Sequence, residues 1–255
     1  MTTVLKTEAL RREFGALCAV DDVSVEIDSE EVTSIIGPNG AGKTTFYNLL
    51  SGRLDPTAGE VFLRGRSGDL ENVTGLPPHD IARRGLSRAY QINNNFEGLS
   101  VLDNLRVARV STTDRSTELL SRYHDDAALR ESAEDVLELT GLTDVAETEA
   151  ANLSHGDKRK VEIALSLATD PAVVLLDEPT AGMNPSESEE MVELIKELDE
   201  TTDTTFVLTE HDIDMVLEIS DRILVLHRGE LIANGTPDEV MANEDVTTAY
   251  LGERQ

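Results

Sequence analysis

Between Ile35 and Phe46 the sequence IIGPNGAGKTTF sets Gly37, Gly40 and Gly42 among Pro38, Asn39 and Ala41, then follows at once with Lys43, Thr44 and Thr45. The spacing fits GxxxxGK[ST], with Gly37, Gly42, Lys43 and Thr44 at the fixed positions. Glycines let the backbone curl so that successive N–H groups face one concave site, and a helix starting there adds its positive N-terminal end. Such a cradle suits the phosphates of a nucleotide. Lys43 is expected to reach the β- and γ-phosphates, the Thr44 hydroxyl to ligate Mg²⁺, and Thr45 to touch the α-phosphate. A cradle alone does not imply hydrolysis, but the stretch AVVLLDEP ends an apolar run in two carboxylates. Asp177 suits a water-mediated hold on Mg²⁺, and Glu178 suits acceptance of a proton from an attacking water.

These groups need a scaffold. Val23, Val25 and Ile27 alternate with polar residues, and EVTSIIG leads into the glycine loop, so both read as strands. After the loop Phe46, Leu49 and Leu50 fall at helical spacing, with Gly52 as a stop. From about Leu70 to Asn152 the texture becomes turn-rich and helical. NVTGLPPHD reads as a loop, SVLDNLRVA and ALRESAEDVLELTGL as helices, and the segment as an inserted helical subdomain. Val161, Ala164, Leu165 and Ala168 then predict a helix ended by Asp170-Pro171 before the strand AVVLLDEP. Met191, Leu194, Ile195 and Leu198 predict another before the strand TTFVLTEH. Alternating helices and strands imply an α/β fold with a mostly parallel sheet and its working loops at the strands' carboxyl ends. RILVLHRGELIANG reads as a hairpin about Arg228-Gly229, followed by an acidic helical tail.

At 255 residues and 39% apolar content the chain can bury one large core. It has no apolar run of ~18 residues and no signal-peptide pattern, so a cytoplasmic protein without a transmembrane segment is expected. Lone Cys18 reads as a packing residue. His79, His124, His155 and His227 are expected to be satisfied by neighbours, and the histidines show no transition-metal spacing. Fifty acidic residues oppose 22 basic ones, a formal charge of −28 spread through segments that keep their apolar periodicity. Self-repulsion on that scale favours molar salt, where the Debye length is ~3 Å, and so a salt-rich, halophilic cytoplasm. The alternative is a merely acidic mesophilic protein, which low-salt unfolding would separate. No nucleic-acid partner is expected.

Taken in order, the motifs resemble the ATP-binding-cassette (ABC) ATPases over nearly the whole chain. The resemblance implies a P-loop NTPase fold with an N-terminal antiparallel β subdomain. It makes residues 1–255 a single ABC ATPase domain: a nucleotide-binding core over about 1–90 and 153–235, a helical subdomain over 91–152, and a C-terminal tail over 236–255. In AYQ, Gln91 is implied as the Q-loop glutamine, a contributor to the Mg²⁺ site and a link to the membrane partner. LSHGD stands where the family has its signature, so Ser154, His155 and Gly156 are implied to bind ATP held by an opposing protomer. His211 of TEHD is implied to contact the γ-phosphate, and Phe14 to stack on adenine. Lys43, Glu178 and His211 are thus the expected catalytic set, with ATP and Mg²⁺ as cofactors. ATP binding would close an ATPase dimer and hydrolysis would reopen it.

Three residues depart from the family pattern: His155 and Asp157 in the signature, and Asn184 in AGMNP. GLPPHDIARRGLSRAYQ, LSHG, AGMNP, EHDIDMV and GTPDEVMANEDVTTAYLGE are similar to the ATP-binding subunits of branched-chain amino acid importers. Urea and short-chain amide importers share much of this pattern. The resemblance implies two membrane permease subunits, a second identical or related ATPase subunit, and indirectly an extracytoplasmic substrate-binding protein. The chain would lie peripherally on the cytoplasmic face of the membrane, docked through about Ile92 to Arg109. A soluble ABC ATPase acting as a clamp or assembly factor is the alternative of another class.

Overall fold

A computed structural model of the chain describes residues 2–89, 96–111 and 127–251. Two sheets carry the architecture. β1 (Thr3–Phe14), β2 (Leu17–Asp28), β4 (Ala58–Arg64) and β5 (Leu70–Asn72) form an antiparallel sheet in the order β2-β1-β4-β5. The second sheet runs β10-β9-β3-β8-β7-β6, from β3 (Thr33–Ile36), β6 (Leu86–Ala89), β7 (Val173–Asp177), β8 (Thr205–Thr209), β9 (Arg222–His227) and β10 (Glu230–Gly235). β3 and β6 to β9 are parallel, and β10 alone is antiparallel to its neighbour.

Both faces of the parallel sheet are covered, so its strands read as continuous apolar runs. Val173 and Leu175 of β7 join a cluster with Leu5, Ile27, Ile35 and Tyr47 between the two sheets. Val174 and Leu176 face the opposite cluster, which includes Leu105, Val136, Val161, Ile195 and Phe206. The helices over that second face are α3 (Val101–Ser111), α4 (Ala127–Leu139), α5 (His155–Leu167) and α6 (Pro185–Thr201). α1 (Lys43–Leu50) seals the junction of the sheets through fully buried Phe46 and Tyr47. Beyond β8 lie α7 (Ile213–Ile219) and, after the hairpin, α8 (Pro237–Met241) and α9 (Glu244–Leu251). Arg228 and Gly229 make the hairpin turn in left-handed conformations, as two-residue hairpin turns require.

The turn-rich stretch after Leu70 differs from its sequence reading. It contains β5, which extends the antiparallel sheet, and β6, which pairs with β7. Strands of three and four residues carry too little periodicity to stand out. α2 (Pro78–Arg84) occupies the end of the expected loop NVTGLPPHD. Extended Pro77 is its N-cap, a proline lies in its first turn, and left-handed Gly85 ends it.

One half-buried carboxylate weakens the fold as pH rises. Asp199 Oδ1, near the end of α6, is buried with no hydrogen-bond partner among the described residues. Burial, then the charges of Asp221 and Glu200, push its pKa up to about 6. Because the folded value lies above the unfolded one, this group favours the fold at acid pH. The benefit fades as pH rises from about 3.8 to about 6. Asp199→Asn should therefore raise the Tm by roughly 2–4 °C at pH 7.5 and by much less at pH 4, in thermal unfolding at molar salt. Equal shifts at both pH values would contradict this account.

Candidate functional site

The glycine loop is held by close backbone contacts. β3 is fully buried between β8 and β9, so the chain leaves it against the end of β9. A Cβ on Gly37, whose φ is +156°, would stand 2.2 Å from the Leu226 carbonyl oxygen. One on Gly42, at φ +107°, would stand 2.4 Å from that of Ala19. The Ala41 carbonyl accepts from Gly229 N–H at 2.9 Å, and the Gly229 carbonyl accepts from Asp21 N–H at 2.8 Å. The loop is thereby strapped to the hairpin turn and to β2.

Gly42 is also the N-cap of α1, so Lys43, Thr44 and Thr45 occupy the helix's first turn. Lys43 is 8% exposed, and its Nζ donates to the carbonyls of Gly37 and Pro38. Burial lowers its pKa, opposed by the charges of Glu178 and Asp177. The lysine is therefore within electrostatic reach of both carboxylates. Thr44 is exposed and Thr45 half-buried. Backbone N–H groups, a helix N-terminus and a confined ammonium suit a polyphosphate, and the glycine positions are ones that a side chain would fill.

Asp177 ends β7 and is held from both neighbouring strands. Its Oδ1 accepts from Thr209 Oγ1 of β8 at 2.8 Å, and its Oδ2 from Arg88 Nη2 of β6 at 2.7 Å. The Arg88 side chain is 5% exposed; it also donates to Asn48 Oδ1 at 2.8 Å and lies over the Tyr47 ring, 5.4 Å from its centroid. Tyr47 is fully buried, and its hydroxyl donates to the Leu176 carbonyl at 3.3 Å. Oriented carboxylate and exposed Thr44 hydroxyl are hard oxygen donors of the kind that Mg²⁺ takes.

Glu178 follows in a left-handed conformation, φ +50°, of the sort that costs of order 1–3 kcal/mol and recurs at functional sites. Its N–H donates to the Thr209 carbonyl at 3.0 Å, which fixes the turn. Glu178 Oε1 and His211 Nε2 lie 2.7 Å apart. Glu210, 5% exposed, braces both loops. Its Oε1 accepts from Thr180 N–H at 2.9 Å and Oγ1 at 2.7 Å, and its Oε2 from His211 N–H at 3.2 Å. Carboxylate and imidazole thus stand beside the cradle as a hydrogen-bonded pair.

The structure brings Lys43, Asp177, Glu178 and His211 to one end of the parallel sheet. Phe14 stands at the end of β1, 44% exposed, with the Arg12 guanidinium 4.7 Å from its ring centroid. Ser154, His155 and Gly156 are elsewhere, at the start of α5, whose main contacts are with α3, α4, β6 and β7. Ser154 caps that helix. Its Oγ accepts from Asp157 N–H at 3.1 Å and donates to Asp157 Oδ2 at 2.7 Å, so Asp157 has a local capping role. Asn184 likewise caps α6 in a reciprocal box with Glu187. Gln91 and His124 lie outside the described residues. His227 departs from expectation: its Nδ1 is buried without a hydrogen-bond partner among the described residues. Arg88 and Glu210 were not singled out by sequence reasoning. Arg88 lies within the importer-like stretch GLPPHDIARRGLSRAYQ, three residues before Gln91, but nothing in that stretch marks it as a partner of Asp177.

Residues 20–181 match the family model described as ABC transporter, and residues 230–255 match that of the branched-chain amino acid ATP-binding cassette transporter. The chain is 43% identical over 98% of its length to the high-affinity branched-chain amino acid transport ATP-binding protein LivG of Salmonella typhimurium, of which it covers 98%. It is 34% identical to the probable branched-chain amino acid transport ATP-binding protein LivG of Archaeoglobus fulgidus, with 98% of this chain and 95% of that one aligned. Among solved structures, the ADP conformation of an ATP-binding cassette of an ABC transporter superposes with a TM-score of 0.85. That match covers 99% of this chain and 100% of the other at 29% identity.

The loop geometry separates two glycines by their surroundings. Gly40, at φ +80°, has open space where a Cβ would stand. Gly40→Ala should cost only the left-handed penalty of about 1–2 kcal/mol. Gly42→Ala adds a collision with Ala19 and should cost at least about 2 kcal/mol more. Urea unfolding at molar salt checks this, and equal losses would contradict the assigned packing.

Proposed function

The chain belongs to the ABC transporter family of ATP-binding subunits, and on that premise we propose that it is the energy-coupling ATPase of a membrane importer for branched-chain amino acids. The carrying observation is the pair Glu178 and His211, 2.7 Å apart beside a cradle whose lysine feels the charge of both carboxylates. A binding-only scaffold would have no use for that pair. The match of residues 230–255 to the branched-chain amino acid model supports this cargo over urea or short-chain amides. Relatives named as transport subunits support it over a soluble clamp.

In this reading the loop amides, Lys43 and Thr45 bind the phosphates of ATP, and Phe14 carries the adenine. Thr44, Asp177 and Gln91 would hold Mg²⁺, which would act as a Lewis acid on the phosphate oxygens. Glu178 takes the proton from the attacking water, and His211 orients that carboxylate and faces the γ-phosphate. Ser154, His155 and Gly156 present the N-terminus of α5 to ATP on a second ATPase subunit. Nucleotide then joins the two subunits, and hydrolysis releases them.

Among the described residues no helix is long and apolar enough to cross a membrane. In the importer reading the chain works with separate membrane permease subunits. The docking surface, on the cytoplasmic face, is the segment from about Ile92 to Arg109, of which residues 92–95 lie outside the described residues; Phe96 is 57% exposed there, just ahead of α3. A substrate-binding protein on the other face delivers the cargo.

The acidic surface is a feature of a salt-rich host. α6 exposes Glu189, Glu190, Glu193, Glu197 and Glu200, while its single lysine, Lys196, pairs with Glu218 at 3.1 Å. Dialysis below ~0.1 M salt lengthens the screening distance to ~10 Å or more and should unfold or aggregate the protein. Unchanged circular dichroism there would remove the halophilic reading.

Glu178→Gln tests the catalytic assignment. Turnover should fall about 100-fold or more while ATP binding persists and the ATP-bound chain elutes as a dimer at high salt. Turnover within twofold of the starting protein would remove Glu178 from the role of base.

A further inference from the structure

Arg88 lies within the importer-like stretch GLPPHDIARRGLSRAYQ without any assigned role there, yet its buried side chain is tied directly into the site. Its guanidinium touches three residues of the site, on β7 and α1, at once. One nitrogen reaches Asp177 Oδ2 at 2.7 Å, another reaches Asn48 Oδ1 at 2.8 Å, and the plane lies over the Tyr47 ring. Asn48 and Tyr47 both belong to α1, the helix that begins with Lys43. The Arg88 side chain is 5% exposed and that of Asp177 is 25% exposed, so the bond runs from the interior toward the mouth of the site.

Two features set this pair apart from an ordinary buried ion pair. The carboxylate is clamped at both oxygens by donors from the strands on either side, Thr209 on β8 and Arg88 on β6, which fixes the plane of the group. Arg88 also lies three residues before Gln91 on the strand that leads to it. A guanidinium fork suits this task because its donors lie in one rigid plane. Partners that orient a metal-holding carboxylate from behind change metal affinity by about 10–100-fold when removed.

We propose that Arg88 is a positioning residue for Mg²⁺. It holds the Asp177 carboxylate in the orientation the metal requires and ties that orientation to α1 and to β6. The proposal rests on Asp177 serving the metal, as in the function proposed above.

The test is a Mg²⁺ titration of fluorescent-ATP binding to the full chain at molar salt, run beside thermal unfolding. In Arg88→Met the Mg²⁺ midpoint should rise about tenfold or more, while affinity for the nucleotide in EDTA stays within about twofold. Arg88→Lys keeps the charge but loses the fork, and should give an intermediate shift. Asn48→Ala removes only the brace on the guanidinium. It should shift the midpoint less, in the same direction, and serves if Arg88→Met fails to fold. Asp177→Asn is the reference: an unchanged midpoint there would overturn the metal role of Asp177 itself. A shift in Asp177→Asn with an unchanged or lowered midpoint in the Arg88 and Asn48 variants would overturn the proposal alone. In that case a lower Tm would mark Arg88 as structural.

Discussion

A carboxylate must sit at the end of a strand whose four preceding residues, Val173 to Leu176, are almost wholly buried, and both its oxygens must find donors there. Everything around the site answers that constraint. Thr209 and Arg88 satisfy the two oxygens of Asp177 from the strands on either side. Asn48 and Tyr47 hold Arg88 in turn. The carboxylate is thereby stiff before any ligand arrives, so little ordering remains to oppose binding. The next residue, Glu178, takes the opposite solution. Its left-handed backbone turns it out of the strand toward His211, where it is one-third exposed and open to water.

Legibility in the sequence follows the range of the interaction. The phosphate loop could be read directly because its glycines, lysine and threonines are contiguous, and each glycine answers to a local conformation or a close backbone approach. The buried strands β3, β7 and β8 and the periodic helices were legible for the same reason. Arg88 was not, because its partner Asp177 lies 89 residues away and only the pairing of β6 with β7 brings them together. Glu210 was hidden in a different way. It stands between a strand and the histidine that drew attention, and its role appears only when the Thr180 loop folds over it. β5 and β6 were missed because strands this short take their structure from their neighbours rather than from their own pattern.

Two of the three departures from the family pattern have local roles: Asp157 completes the cap of α5 and Asn184 that of α6, while nothing in the structure explains His155. Both residues cap helices that frame the loop after Glu178. Of the two, only Asp157 adds a carboxylate, and at the N-terminus of α5 it meets the favourable end of the backbone dipole. The same logic links the acidic surface to the site: charge is tolerated where a cap, a guanidinium or salt answers it.

The account stands or falls on whether this ATPase works beneath a membrane partner. The most direct measurement is to capture the chain from gently solubilised host membranes at high salt and identify the proteins that accompany it. The account predicts permease chains with membrane spans, together with an ATPase subunit of the same or related sequence. Recovery with soluble proteins alone, from membranes shown to be intact at the outset, would contradict it.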